Sequence, residues 1–206
     1  MSDPVAVDVY FDFACPYVYG AALWLQEVRN QLGGDHFEVT WKFFPLEQVN
    51  APADAELAIW DLPADRRSRG RDSLHAAAAA RRQGRDAFDR FHTALLRLKH
   101  EEERDHGQQS TLDEAATRAG LDLTRFQADL ADRALLREIR DDYLFGREEL
   151  NVFGTPTFVF PNGQSAYLQV LPPPPMEDAA PFWNDFVKTV RDRPYVREIK
   201  RPRRPQ

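Results

Sequence analysis

Thiols are almost absent from this chain: Cys15 is the only cysteine among 206 residues. One cysteine permits no internal disulfide and leaves no second thiolate for a structural zinc site. The histidines do not compensate. His36, His75, His92, His100 and His106 show no H-x-H or H-x-x-x-H spacing, so no metal is expected. No apolar run approaches the roughly 18 residues of a membrane-spanning helix. The opening "MSDPVAVDVYF" has no basic start leading into an apolar stretch and a small-residue cleavage site, so no secretory signal is read. With a lone thiol, these features point to a reducing cytoplasm and away from a membrane. Positive charge is short as well. The net charge is −6, whereas a general nucleic-acid binder needs a broad basic surface. Half of the last ten residues, "REIKRPRRPQ", are Lys or Arg, but a short proline-broken tail reads as solvated rather than as a nucleic-acid contact. Hydrolase, NTPase and dinucleotide readings lack support too, for want of a G-x-S-x-G, Walker or G-x-G-x-x-G pattern.

What is present is a clear alternation of elements. "VAVDVYFDFA" is rich in Val, Tyr and Phe and reads as a buried strand over residues 5–12. Cys15-Pro16 follows, and proline suits the first position of a helix, where its missing N–H costs nothing. Ala21, Leu25, Val28 and Leu32 recur at helical spacing until Gly33-Gly34 ends the run. "HFEVTWKFF" then alternates Phe37, Val39, Trp41 and Phe43 as a second strand. Strand, helix and strand make a right-handed βαβ unit with a parallel pair. Cys15 therefore falls at the carboxyl end of one strand and the amino end of a helix, the edge where open α/β sheets commonly place their chemistry.

The middle of the chain is helical. "HAAAAARRQG" and the Phe88, Phe91, Leu95, Leu98 stripe read as two helices broken near Gly84. Thr111 with Glu114 forms a capping box, Gly120 closes that helix, Thr124 starts another, and Leu135, Ile139 and Tyr143 carry a stripe toward Leu150. Two β-rich runs in "TPTFVFPNGQSAYLQVL" flank Pro161-Asn162-Gly163 and read as an antiparallel hairpin. A last amphipathic helix is built on Phe182, Phe186 and Val190. The expected organisation is an α/β body from 1–60 and 152–193, a helical insertion over 61–151, and a basic tail over 194–206.

That order, with "FDFACPY" at the first helix and "NVFGTPTFVF" before the third strand, resembles the DsbA family: a thioredoxin-like fold (βαβ…ββα) with an inserted all-helical subdomain. "GLDLTRFQADL" is similar to the family's helical segment, and the match runs over nearly the whole chain. The resemblance implies a thiol–disulfide oxidoreductase with Cys15 as nucleophile. It also implies a cis Thr155-Pro156 peptide whose backbone faces Cys15 and clamps an extended substrate. One departure matters. The redox members carry a second cysteine three positions after the first, and here that place is Val18. The chain also resembles 2-hydroxychromene-2-carboxylate isomerases and kappa-class glutathione transferases, which bind glutathione and place a serine where Cys15 stands. Their stretch after the last strand does not match "YLQVLPPPPM". The tail "FWNDFVKTVRDRPYVREIKR" is more similar to cytoplasmic DsbA-like proteins that work with a small thiol such as mycothiol.

A thiol just ahead of a helix meets unpaired backbone N–H groups and the positive end of the dipole, which favour the thiolate, the attacking species in disulfide exchange. The competing reading is an inert buried cysteine; Pro16 and the strand-to-helix position favour the reactive one. With no resolving partner, attack ends in a mixed disulfide that only an external thiol clears. The first expectation is thus a cytoplasmic monothiol oxidoreductase that binds no cofactor tightly and uses glutathione or mycothiol as co-substrate. The second is a thiol-dependent isomerase or transferase acting on an electrophile, and the third a non-catalytic binding protein on the same fold. Tyr17 is either an aromatic wall beside the thiol or packing. Asp12 is either a proton-relaying carboxylate or a local cap, and Asn50 either lines the pocket or is solvated. The sequence leaves a homodimer open.

Overall fold

The computed structural model describes residues 4–34, 36–52 and 54–201, so the end of the basic tail, 202–206, lies outside the described residues. Four strands form one mixed sheet: β1 (Val5–Phe11), β2 (Phe37–Phe43), β3 (Thr157–Val159) and β4 (Ser165–Tyr167), in the order β2-β1-β3-β4. β1 and β2 run parallel, from Val5 opposite Phe37 to Phe11 opposite Phe43, while β3 pairs antiparallel with both β1 and β4. β1 stops at Phe11, one residue short of the expected end, because Asp12 turns the chain toward the following helix.

That helix, α1, spans Pro16–Leu32, with Cys15 as its extended N-cap residue (φ −82°, ψ 117°). Gly33 ends it at φ +85°, a conformation that a side chain would strain. Val18, Ala21, Ala22, Leu25 and Val28 bury its inner face. α1 packs against the last helix, α8 (Ala179–Val190), where Trp24 meets the rings of Phe182, Trp183 and Phe186 and donates its indole N–H to Ala179 O at 2.9 Å. α8 starts earlier than the Phe182 stripe suggests, and its most buried large ring is Trp183, because Ala179 and Ala180 tuck beneath α1.

Between the strands lie α2 (Leu46–Val49), α3 (Arg69–Arg81), α4 (Arg85–His100), α5 (Gln109–Arg118), α6 (Leu123–Ala131) and α7 (Leu136–Leu144), which runs on into a π-helical turn over Phe145–Glu149. Two expected helix starts are corrected. Thr111 is not an N-cap: α5 begins at Gln109, which turns the Thr111 side chain inward and leaves its hydroxyl buried without a partner. α6 begins before Thr124, capped by Asp122, whose side chain accepts the Arg125 N–H. These helices and the sheet share one apolar cluster, from Phe11 and Phe43 through Phe88 and Phe91 to Phe126 and Ile139. The outer edge of β2 is covered by the same block. Arg85 donates to Val39 O and Arg81 to Trp41 O, while Asp142 accepts the Phe43 N–H. Side chains thus occupy an edge that would otherwise template pairing with another chain.

Candidate functional site

Cys15 is 5% exposed, and its thiol donates to Thr155 O at 3.2 Å. The sulfur makes no capping bond to α1. This contact joins the two motifs that stand 140 residues apart in the chain. The Thr155–Pro156 peptide is cis. Thr155 is itself buried, and its hydroxyl oxygen has no hydrogen-bond partner among the described residues. A thiol can donate to a carbonyl but a thiolate cannot, so ionisation of Cys15 releases the Thr155 carbonyl for another donor. Pro16 is exposed beside the sulfur, and Val18, three residues on, is fully buried.

The loop that carries the thiol is held from within. The Asp12 carboxyl accepts Ala14 N at 2.7 Å and Leu46 N at 2.7 Å, and Asp12 O accepts Cys15 N at 3.1 Å. Burial pushes its pKa up to about 6; the two backbone N–H groups pull the other way and Glu47 adds to the rise. Of the two roles expected for Asp12, the geometry supplies the local cap. From the helical block, His100 donates its Nε2–H to Phe13 O at 2.9 Å and stacks on Tyr19, whose hydroxyl donates to Glu101.

Asn50 is not brought to this site. It is exposed at the end of α2, and its amide donates to Leu46 O at 2.8 Å, because the short helix closes on itself there. Tyr17 is half-buried and packs against the core. An aromatic pair that the sequence did not single out flanks the cis Thr155–Pro156 peptide. Phe153, 61% exposed, lies 5.2 Å from Tyr167 between ring centroids. The Tyr167 ring lies over Gly154, where an added Cβ would come within 3.3 Å of it. Burial raises the Tyr167 pKa, its bond from Gln169 lowers it, and nearby Cys15 and Tyr17 raise it further. The hairpin signature placed Tyr167 in a strand, but only the Thr157–Tyr167 register puts it beside the thiol. Among the described residues there is no group of three or more His, Cys, Asp or Glu that could hold a metal, and no helix is long and apolar enough to cross a membrane. A cleft of about 240 Å³ runs along the outer edge of β2, lined by Trp41, Arg81, Arg85 and Phe88, but none of its lining residues belongs to the thiol site.

Residues 6–180 match the DSBA-like thioredoxin domain. The chain belongs to this family. The chain is similar to a Mycobacterium tuberculosis protein, the uncharacterised protein Rv2286c, 28% identical over 199 residues that cover 97% of this chain and 83% of that protein. The Na(+)/H(+) antiporter NhaA 1 of Salinispora arenicola is 33% identical over 161 residues, which are 78% of this chain but only 20% of the antiporter. Among solved structures, the cytosolic disulfide reductase DsbM of Pseudomonas aeruginosa superposes with a TM-score of 0.58 at 15% identity, covering 90% of this chain and all of DsbM. In this DsbA-like fold the two sequence motifs meet at the Cys15–Thr155 contact.

Proposed function

We propose that this protein is a cytoplasmic thiol–disulfide oxidoreductase that works through Cys15 as a lone nucleophile, with a low-molecular-weight thiol as second substrate. The observation that carries the reading is the Cys15 sulfur 3.2 Å from Thr155 O, beside Pro156, in a chain with no other cysteine. The Cys15 thiolate attacks the small-thiol sulfur of a mixed disulfide R–S–S–G, forming Cys15–S–S–G and expelling R–S⁻. A second G–S⁻ attacks the G sulfur of that adduct, releasing G–S–S–G and restoring Cys15–S⁻. The net exchange consumes one free small thiol such as glutathione or mycothiol: R–S–S–G and G–S⁻ give R–S⁻ and G–S–S–G, so R is released as a thiolate and the disulfide bond passes to the small-thiol pair. The Thr155 carbonyl, freed when Cys15 ionises, accepts a backbone N–H of an extended substrate, with Tyr167 near the thiol. DsbM, of the same fold, is a cytosolic disulfide reductase, which agrees with work in a thiol-rich compartment.

Glutathionylated and mycothiolated peptides are offered with the matching free thiol, G–S–S–G release is followed, and the protein is trapped for mass spectrometry. The expected result is a thiol adduct on Cys15 and turnover that falls to the uncatalysed rate in Cys15→Ala. Turnover that survives this substitution would overturn the proposal, and so would a protein that never forms the adduct.

A further inference from the structure

Asp12 is 1% exposed and lies between the thiol loop and the segment entering the helical block. Both of its carboxyl oxygens are in use, one on Ala14 N and one on Leu46 N, each at 2.7 Å. Such lengths are those of charge-assisted bonds to a carboxylate. Its main chain serves the same loop, because Asp12 O accepts the N–H of Cys15 itself. The connection continues outward: Glu47, next to Leu46, accepts Gly70 N at 3.0 Å in the first turn of α3. A line of hydrogen bonds therefore runs from the residue before Cys15 through Asp12 and the 46–47 backbone into the helical block.

We infer that Asp12 is a positioning residue whose ionised carboxylate holds the Cys15 loop in register with Thr155 and ties it to the helical block, and that protonating it slows attack by the thiol. This rests on the reading of Cys15 as nucleophile. The reason is the donor count. An ionised carboxylate accepts at both oxygens, whereas a protonated one carries an O–H that cannot face a backbone N–H. One of the two ties must then go, and either loss frees the loop. The charged group acting on Asp12 is Glu47, from α2; His100, from α4, holds the same loop at Phe13 O with an imidazole whose pKa burial lowers, a shift the Phe13 O bond partly offsets. A displacement of ~1 Å at a reacting atom costs on the order of 10²-fold in rate, so a loosened loop is expected to slow exchange about ten- to a hundred-fold.

Two measurements separate this inference from the proposed function. Backbone amide NMR of the unmodified protein between about pH 4.5 and 8 reads the carboxyl directly. The Ala14 and Leu46 amides are expected to titrate together with a midpoint near the value of about 6 set by the burial of Asp12. That titration should persist in Cys15→Ala and vanish in Asp12→Asn. In the second measurement, the rate of adduct formation at Cys15 against pH is expected to show an inflection at the same midpoint, absent in Asp12→Asn, with the variant slow throughout. Amides that move independently, or an Asp12→Asn rate profile matching that of the unmodified protein, would overturn the inference. A protein that forms no adduct at any pH while its amides still titrate together overturns the proposed function and, with it, the effect on rate; the two-armed tie itself stands. An Asp12→Asn variant that fails to fold leaves the amide titration of the unmodified protein as the deciding result.

Discussion

His92 is 1% exposed and sits among Phe11, Trp41 and Phe88, with ring centroids 4.7, 4.2 and 5.7 Å away. Its Nε2 has no hydrogen-bond partner among the described residues. Burial, with Arg81 nearby, pushes its pKa down to about 3 from an ordinary 6.5. The sign of the pH effect follows. Above pH 6.5 the ring is neutral in both the folded and the unfolded chain. Below it the unfolded chain takes up a proton that the folded core refuses until about pH 3, so stability falls as the pH drops through that window. His92→Phe removes both the unpaired nitrogen and the titration. It is expected to raise stability by about 1 kcal/mol at neutral pH and to flatten the dependence of Tm on pH between 6.5 and 4. Thermal melts of both proteins across that range check this; an unchanged slope would mean that His92 is not the group responsible.

At the scale of elements, α1 comes close to the chain that leaves β4 at Gly20. A Cβ at Gly20 would lie 2.0 Å from Val170 O, just before the cis Leu171–Pro172 peptide. Carbonyl oxygens of the main chain do not swing aside as side-chain ends do. Gly20→Ala must therefore push α1 away from this segment, at a cost of about 1–3 kcal/mol, even though alanine is the better helix former by about 1 kcal/mol. Chemical denaturation should show a net loss. A gain would mean that the segment after β4 yields freely. Since α1 also carries Cys15 at its start, the same variant is expected to weaken the thiol's contact with Thr155.

At the scale of the molecule, the sheet and the helical block are fastened through Arg81. From α3 its guanidinium donates to Trp41 O at 2.9 Å and lies 4.2 Å from the Phe43 ring centre and 4.6 Å from that of Phe88, with Glu138 of α7 at 3.7 Å. Because the apolar cluster is shared, the chain is expected to unfold in one transition. Arg81→Ala is expected to cost about 2–3 kcal/mol through the lost carbonyl bond and ring contacts, lowering Tm by about 5–10 °C without splitting that transition. Calorimetry that resolves two peaks would show the helical block unfolding separately.

The strands, the extent of α1, the break at Gly84 and the hairpin at Pro161-Asn162-Gly163 were legible in the sequence, because each depends on periodicity or on local φ preferences carried by neighbouring residues. So was the place of Cys15 at a helix start, since Pro16 marks it. The starts of α5 and α6 were not. Thr111 and Thr124 have the right chemistry for a cap, but α5 begins early enough to bury the Thr111 side chain, and at α6 Asp122 takes the cap by accepting the Arg125 N–H. At the site, Cys15 and Thr155 were named from motifs, and of the two readings open for Asn50 the structure has the solvated one, with its amide on its own helix. Tyr167, Gly154 and His100 came into view only through strand register and the docking of α4 on the thiol loop. The sequence by itself determined most of the elements and the single thiol at a helix start, because those rest on residue identity and on interactions within a few residues of chain. Only the tertiary structure decided which buried carboxyl, carbonyl and rings surround that thiol, because those contacts join segments that meet only when the sheet closes.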